Sequence, residues 1–339
     1  MKKFSLMTVI TLFSVAILFI SCDKEHFNDN SQSNIKVVKY SNGLKTEVEM
    51  LEFSDFDSFL ETMEYLDKNT IDYIKSFNEK YPGLNDVEYN NLIESLGFDE
   101  EYILNSFEST YGFNSSMRKH YNNLVIKWLD NDSLIQDNDP IYKYPFSSIE
   151  MTLLNEYGEV KIGEGIFKIL DNGYIYITDG DYETLSKFNQ GDNSVLTQSN
   201  VTSNFNDIFT CLIIASETPP YKSFDGNKKA RMHEHFHTYV LDVVSNTNLT
   251  IYRKNDSNGH WKKWSMPMTV GNTTYFFNND CEYIDGMISD DETANTSSLS
   301  NHCYDFNLTN VQWKRAKNNS SVCGSYTWPN KYEEDILSW

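Results

Sequence analysis

The sequence predicts an α+β fold: a mainly helical N-terminal domain carrying a small β-hairpin, then a β-sandwich or barrel-like C-terminal domain. Three observations predict it. Phe56, Phe59, Leu60, Met63 and Leu66 recur at three and four residues, the period of a helix with one apolar face. Asp171-Asn172-Gly173 lies between two short apolar runs, as a tight hairpin turn does. Beyond residue 206, the runs 236–244, 249–253 and 273–277 are β-branched and aromatic, with Asn, Gly and Ser between them.

The chain opens on Met1, Lys2 and Lys3 and then stays uncharged over residues 4–21, the charged and apolar regions of a secretory signal. A span of about 20 apolar residues is also long enough for a membrane helix. The end of the stretch decides between the two. Phe19-Ile20-Ser21-Cys22 resembles the lipobox of bacterial lipoproteins, in which a small residue precedes a cysteine that is acylated and becomes the mature N-terminus, although Phe19 stands where Leu is usual. The resemblance implies a lipoprotein signal peptide over 1–21, a palmitate-type lipid on Cys22 and a lipidated tether over 22–43. Two or more acyl chains anchor a protein stably, so the cysteine suffices, and no later segment is long and apolar enough to span a membrane. Asp23, Lys24 and Glu25 resemble the short acidic signal that routes lipoproteins of the Bacteroidota to the outer face of the outer membrane. That implies a place in the cell envelope, exposed at the surface.

At 339 residues the chain exceeds what one small core needs, which predicts two domains. With 40% hydrophobic residues, 22 Tyr and 21 Phe, it can bury a core and is not a disordered protein. The formal charge of −21 repels phosphate backbones, which are bound through clustered Lys and Arg, so nucleic acid is excluded as a partner. The same charge opposes adhesion to anionic lipid heads and leaves membrane attachment to the acylated cysteine.

From residue 44 to 190 the helical pattern dominates. Ser54 is placed as N-cap of the first helix, with Asp55 and Asp57 in its first turn. Further helices are predicted over 88–96, over 100–111 before the stop at Gly112, and over 117–129. Strands follow at 159–162, 165–170 and 174–178, and a helix at 181–188. Residues 191–206, rich in Asn, Ser, Thr and Gln, are the predicted linker, and 207–339 the β-rich domain. Gly112-Phe113-Asn114-Ser115, the segment 154–163 and Ile166-Phe167-Lys168 resemble stretches of uncharacterised surface or outer-membrane lipoproteins of the Bacteroidota. The resemblance covers residues 44–190 loosely and implies a helical region, a hairpin and a β-rich second half. It implies no activity.

Most catalytic signatures are absent: there is no Gly-x-Ser-x-Gly, no Gly-Lys-Ser/Thr phosphate loop and no Gly-x-Gly-x-x-Gly. The acidic stretch 178–183 lacks the ligand spacing of a calcium loop and reads as a solvated turn. Trp261, Trp264, Trp313 and Trp328 could stack sugar rings, but core packing is the commoner use of aromatics in β domains. Asp132-Ser133-Leu134 resembles an O-glycosylation acceptor of the Bacteroidota. Cys211, Cys281, Cys303 and Cys323 are candidate disulfide residues in an oxidising compartment, with the pairing open.

One motif points to chemistry. His233-Glu234-His235-Phe236-His237 satisfies His-Glu-x-x-His, which on a helix would put His233 and His237 on one zinc ion with Glu234 as general base. No third ligand follows at the usual spacing. The segment reads equally as a strand over 231–241, which would set His233, His235 and His237 on one face, as at solvated or loosely metal-binding surfaces. The strand reading is preferred, so neither catalytic residue, metal nor cofactor is assigned. The function expected is that of a membrane-anchored lipoprotein binding an extracellular glycan or protein, or a structural surface component. The alternative is a zinc-dependent hydrolase using His233, Glu234 and His237.

Overall fold

In the computed structural model, which describes residues 35–339 apart from Thr46, 131–139, 141–145, 171–172, 206–215, 218–221, 225–226, 240–241, 256–257, 278–282, 289–291, 306–319, 329–330 and Trp339, the first element is a strand pair. Strand β1 (Lys36–Tyr40) runs antiparallel to β2 (Val48–Phe53), with Lys36 opposite Glu52 and Tyr40 opposite Val48. The tether expected over 22–43 therefore does not extend across residues 35–43. Ile35, Tyr40 and Asn42 are buried there, because one face of the pair is covered by the rest of the chain.

Helix α1 (Phe56–Lys80) is capped by Asp55, whose side chain accepts from Ser58 N; Ser54, the cap expected from sequence, hydrogen-bonds to Asp55 and Ser58 instead. Helix α2 (Asp86–Leu96) opens on a capping box between Asn85 and Glu88 and stops at Gly97, in the left-handed region at φ 64°. Helices α3 (Tyr102–Tyr111), α4 (Met117–Asp130) and the short α5 (Ser148–Leu153) complete the helical layer. Strands β3 (Glu159–Ile162), β4 (Gly165–Leu170) and β5 (Gly173–Ile177) follow, then α6 (Tyr182–Asn189) under an Asp181 cap.

The predicted linker at 191–206 is instead structured. A 3-10 turn at Asn193–Thr197 buries Val195, and β6 (Val201–Phe205) pairs with β5, Val201 opposite Ile177. Its linker-like composition supplies caps: Asp192 accepts from Ser194 N, and Asn200 donates to Asp179. The predicted hairpin is accordingly one part of a six-stranded sheet in the order β1-β2-β3-β4-β5-β6, with β2 and β3 parallel and the other pairs antiparallel. Leu185 of α6 packs on it against Ile166, Ile175 and Ile177.

The second half is β-rich, as the sequence predicts. One sheet holds β7 (Ser216–Glu217), β8 (Lys222–Phe224), β9 (Lys228–Tyr239), β10 (Asp242–Lys254), β11 (Trp261–Lys263) and β15 (Ser298–Asp305). The other holds β12 (Met266–Phe277), β13 (Tyr283–Ile288), β14 (Glu292–Thr296), β16 (Ser320–Trp328) and β17 (Lys331–Ser338). Leu249, Ile251 and Leu299 of the first sheet share a core with Met266, Met268, Val270 and Ala294 of the second, the arrangement of a sandwich. Ile74 of α1 belongs to the same core, with Ile71 packed against it. At another point Val125, Trp128 and Leu129 of α4 pack on Tyr252 and Trp261. The domains expected at 44–190 and 207–339 therefore share their apolar interior and form one compact unit. Ile71 and Ile74 of α1 and Val125, Trp128 and Leu129 of α4 are covered by strands from the second half.

Candidate functional site

Where helices meet the second half of the chain, a cleft of about 490 Å³ opens. Asn90, Ile93 and Glu94 come to it from α2, Phe98 to Glu101 from the connection into α3, and Asn122 and Ile126 from α4. Tyr252, Trp261, Lys262 and Lys263 face them from β10 and β11, and Ser265 and Ser297 from the connections that follow β11 and β14. The connection is fixed by short-range chemistry. Gly97 reverses the chain, and the Asp99 carboxylate accepts from Glu101 N at 2.9 Å and Asn105 Nδ2 at 2.8 Å, which starts α3.

Two adjacent carboxylates then tie the halves together. Glu100 accepts from Ser265 Oγ at 2.9 Å and from Ser297 N at 3.1 Å. Glu101 takes Arg118 Nη1 at 2.7 Å, Asn122 Nδ2 at 3.3 Å and the Lys263 ammonium. Beside them the Asn90 amide clasps Ser265 in both directions, donating to its O at 2.7 Å and accepting from its N at 3.1 Å. Lys262 pairs with Glu94 at the rim.

The environments of the two carboxylates push them apart. Burial pushes the Glu100 carboxyl up, against the hydrogen bonds from Ser297 and Ser265 that pull it down. Burial alone would raise Glu101 too, but the Lys263 and Arg118 charges hold it at about 2. Split pairs of this kind occur in acid–base catalysis, and also in structural ion networks. Here both oxygens of Glu100 and both of Glu101 are already taken by protein donors, so the pair works as a tie between layers.

The residues singled out from sequence fall elsewhere. Cys22, Cys211, Cys281, Trp313 and Asp132-Ser133-Leu134 lie outside the described residues. Cys303 is on β15, opposite Ser245, and Cys323 on β16, opposite Thr273. Trp261 and Trp264 are 6% and 4% exposed and serve the core, with Lys229 over the first ring at 4.5 Å and Arg253 over the second at 4.3 Å. Trp328 ends β16, paired with Lys331. The acidic stretch 178–183 supplies caps: Asp181 binds Glu183 N and Thr184 N.

His233, Glu234 and His237 are on β9, within the expected strand; residues 240–241 lie outside the description. Four residues of extended chain separate His233 and His237 by roughly 13 Å of backbone, and alternation puts Glu234 on the opposite face. The single helical turn that the zinc-hydrolase alternative requires is not formed there. Among the described residues, no group of three or more His, Cys, Asp or Glu is placed to hold a metal ion, and no helix is long and apolar enough to cross a membrane. Sequence reasoning missed Asn90, Glu100, Glu101, Asn122 and Lys263. Each is an unremarkable polar residue in its own segment, and only the packing of helix on sheet gathers them.

Comparison with known proteins gives no family. No family model matches the chain, and no curated protein matches it. Among solved structures, a DUF4848 family protein from Bacteroides thetaiotaomicron VPI-5482 aligns over 90% of this chain and 100% of that one, at 11% identity and a TM-score of 0.19. A likeness at that score carries no argument about fold or function.

Proposed function

We propose that this chain is an exported lipoprotein, cut before Cys22 and held to the outer membrane by acyl chains on that cysteine, whose folded part binds a neutral glycan without converting it. The anchoring part rests on the charged start, the apolar run and the Ser21-Cys22 junction. The binding part rests on one observation, the cleft of about 490 Å³. Its volume is in the range of small-ligand sites, roughly 300–1,000 Å³. Phe98 and Tyr252 offer apolar wall for a sugar ring, and the Asn122 amide offers a group that matches a sugar hydroxyl. Lys262 and Lys263 are both paired with carboxylates, and the chain carries −21, so a phosphate- or sulfate-bearing ligand would meet repulsion and find no uncommitted cation in the cleft.

The test is titration of the mature protein with a panel of neutral oligosaccharides, beside the variants Asn122→Tyr, which fills the cleft, and Asn123→Tyr on the exposed side of the same helix. At least one oligosaccharide should bind wild type and Asn123→Tyr alike and lose about tenfold or more in affinity to Asn122→Tyr, a step of 1.4 kcal/mol. Binding that ignores Asn122→Tyr, or no binding across the panel, overturns the reading.

A further inference from the structure

The cleft has a smaller neighbour. Beyond Glu100, Glu101, Lys263 and Ser297, which line both, a pocket of about 60 Å³ lies between α1, α3 and α5 on one side and β15 on the other. The two hollows meet at the Glu101–Lys263 ion pair, whose side chains are 30% and 27% exposed. A ligand seated in the cleft therefore reaches the pocket by lying across one ion pair.

The pocket has two kinds of wall. Ile71, Ile74, Leu104, Ile149 and Leu299 make an aliphatic side, while Thr70 and Ser300 add hydroxyls. Both hydroxyls have hydrogen-bonding capacity to spare. Ser300 Oγ accepts from Asn248 Nδ2 at 2.8 Å, which leaves its own proton to donate. Thr70 Oγ1 is shielded from solvent and meets no partner. A buried hydroxyl left unmatched is costly, so an acceptor belongs beside it.

At the ~30 Å³ that a water takes in the liquid, the volume suits about two waters or one small group of similar size. Water needs several polar partners, and the aliphatic side offers none. A group with a methyl at one end and a carbonyl at the other meets both walls. Charge narrows the choice. Asp67, Glu100 and Glu101 line the pocket and Lys263 is already paired, so a carboxylate or phosphate is repelled. A free ammonium finds the Glu100 and Glu101 oxygens taken by protein donors and would lose its water against the aliphatic side.

We infer that the pocket is an acetamido subsite of the cleft, and that the ligand is a glycan containing an N-acetylated amino sugar. Its ring lies in the cleft, its acetyl methyl on Ile71, Ile149 and Leu299, and its carbonyl oxygen accepts from Ser300 and Thr70. This rests on the reading of the cleft as a glycan site and adds the class of sugar that the site selects.

The test titrates the mature protein with cellotetraose, the chitosan tetramer and chitotetraose, which carry a hydroxyl, a free amine or an acetamide on C2 of each ring, with the galacto-configured set beside them. An acetamide form should bind about tenfold or more tighter than its hydroxyl counterpart, and the amine no tighter than the hydroxyl form. Ser148→Leu, which fills the pocket, and Thr70→Val, which removes the hydroxyl at nearly constant shape, should each weaken the acetamide form alone. Unaltered binding of the hydroxyl form shows that these variants are folded. The subsite is overturned, and the cleft reading kept, if acetamide and hydroxyl forms bind wild type alike, if the amine binds tightest, or if the preference survives both variants. Binding by no member of either set overturns the subsite and leaves the cleft reading to the wider panel of neutral oligosaccharides.

Discussion

Arg118 is 1% exposed, which a guanidinium tolerates only when its donors are met. Glu108, itself 0% exposed, takes Nη2 at 2.7 Å and Nε at 3.2 Å, Asn105 takes Nη2 at 2.6 Å, and Glu101 takes Nη1. Glu101 is therefore the outer member of a buried chain of charges, and Lys263 closes it from the strand side. Its titration carries a pH dependence whose sign follows from the direction of the shift. The folded carboxyl titrates at about 2, below its ordinary 4.5, so its ionised form stabilises the fold fully above pH 4.5 and that contribution is lost as pH falls toward 2. Glu101→Gln should lower the urea midpoint above pH 4.5, and the gap to wild type should close as pH approaches about 2. A gap that stays constant across that window would show that the ion pairs do not contribute.

At the scale of elements, the helix ends carry the clearest local instructions. Asn85 and Glu88 exchange hydrogen bonds with each other's backbone at 3.0 Å, satisfying two donors that α2 would otherwise leave bare. Asn85→Ala should cost about 1 kcal/mol, seen as a lower urea midpoint at unchanged slope. Those ends were legible in part: Gly112 and Asp181 mark boundaries that the structure keeps, while the first cap moves from Ser54 to Asp55. The segment 191–206 was not legible, because Asp192 and Asn200 use the same side-chain chemistry to cap ordered structure that they would use in a free loop. The strand character of 228–239 emerged although Met232, Phe236 and Tyr239 are also spaced as on one face of a helix. Pairing with β10 along the whole of β9 outweighs a periodicity that either element could satisfy.

At the scale of the molecule, anchoring and folding are separate matters. With no membrane-spanning helix among the described residues, membrane attachment in the proposed reading depends on Cys22 alone. Changing Cys22 to Ala should release the chain into the soluble fraction of a cell lysate, with the fold from residue 35 onward unaltered by circular dichroism. If the variant stayed with membranes uncleaved, residues 4–21 would be acting as a transmembrane anchor. The folded part itself is held by contacts far apart in sequence: Ile74 in the core with Leu249, Trp128 with Trp261, Lys228 on Asp86 at 2.7 Å. They explain why a split at residue 206 fails to describe the molecule.

By itself the sequence determined the class of the fold, the helices with strong caps and apolar stripes, and the strands whose side chains alternate, because each depends on neighbours within a few residues. Only the tertiary structure decided that the two halves share one interior and that Glu100, Asn90 and Lys263 meet in one cleft. Those depend on sheet register and on helix-against-sheet packing, where partners distant in sequence come together and a shift of one residue would turn every side chain to the other face.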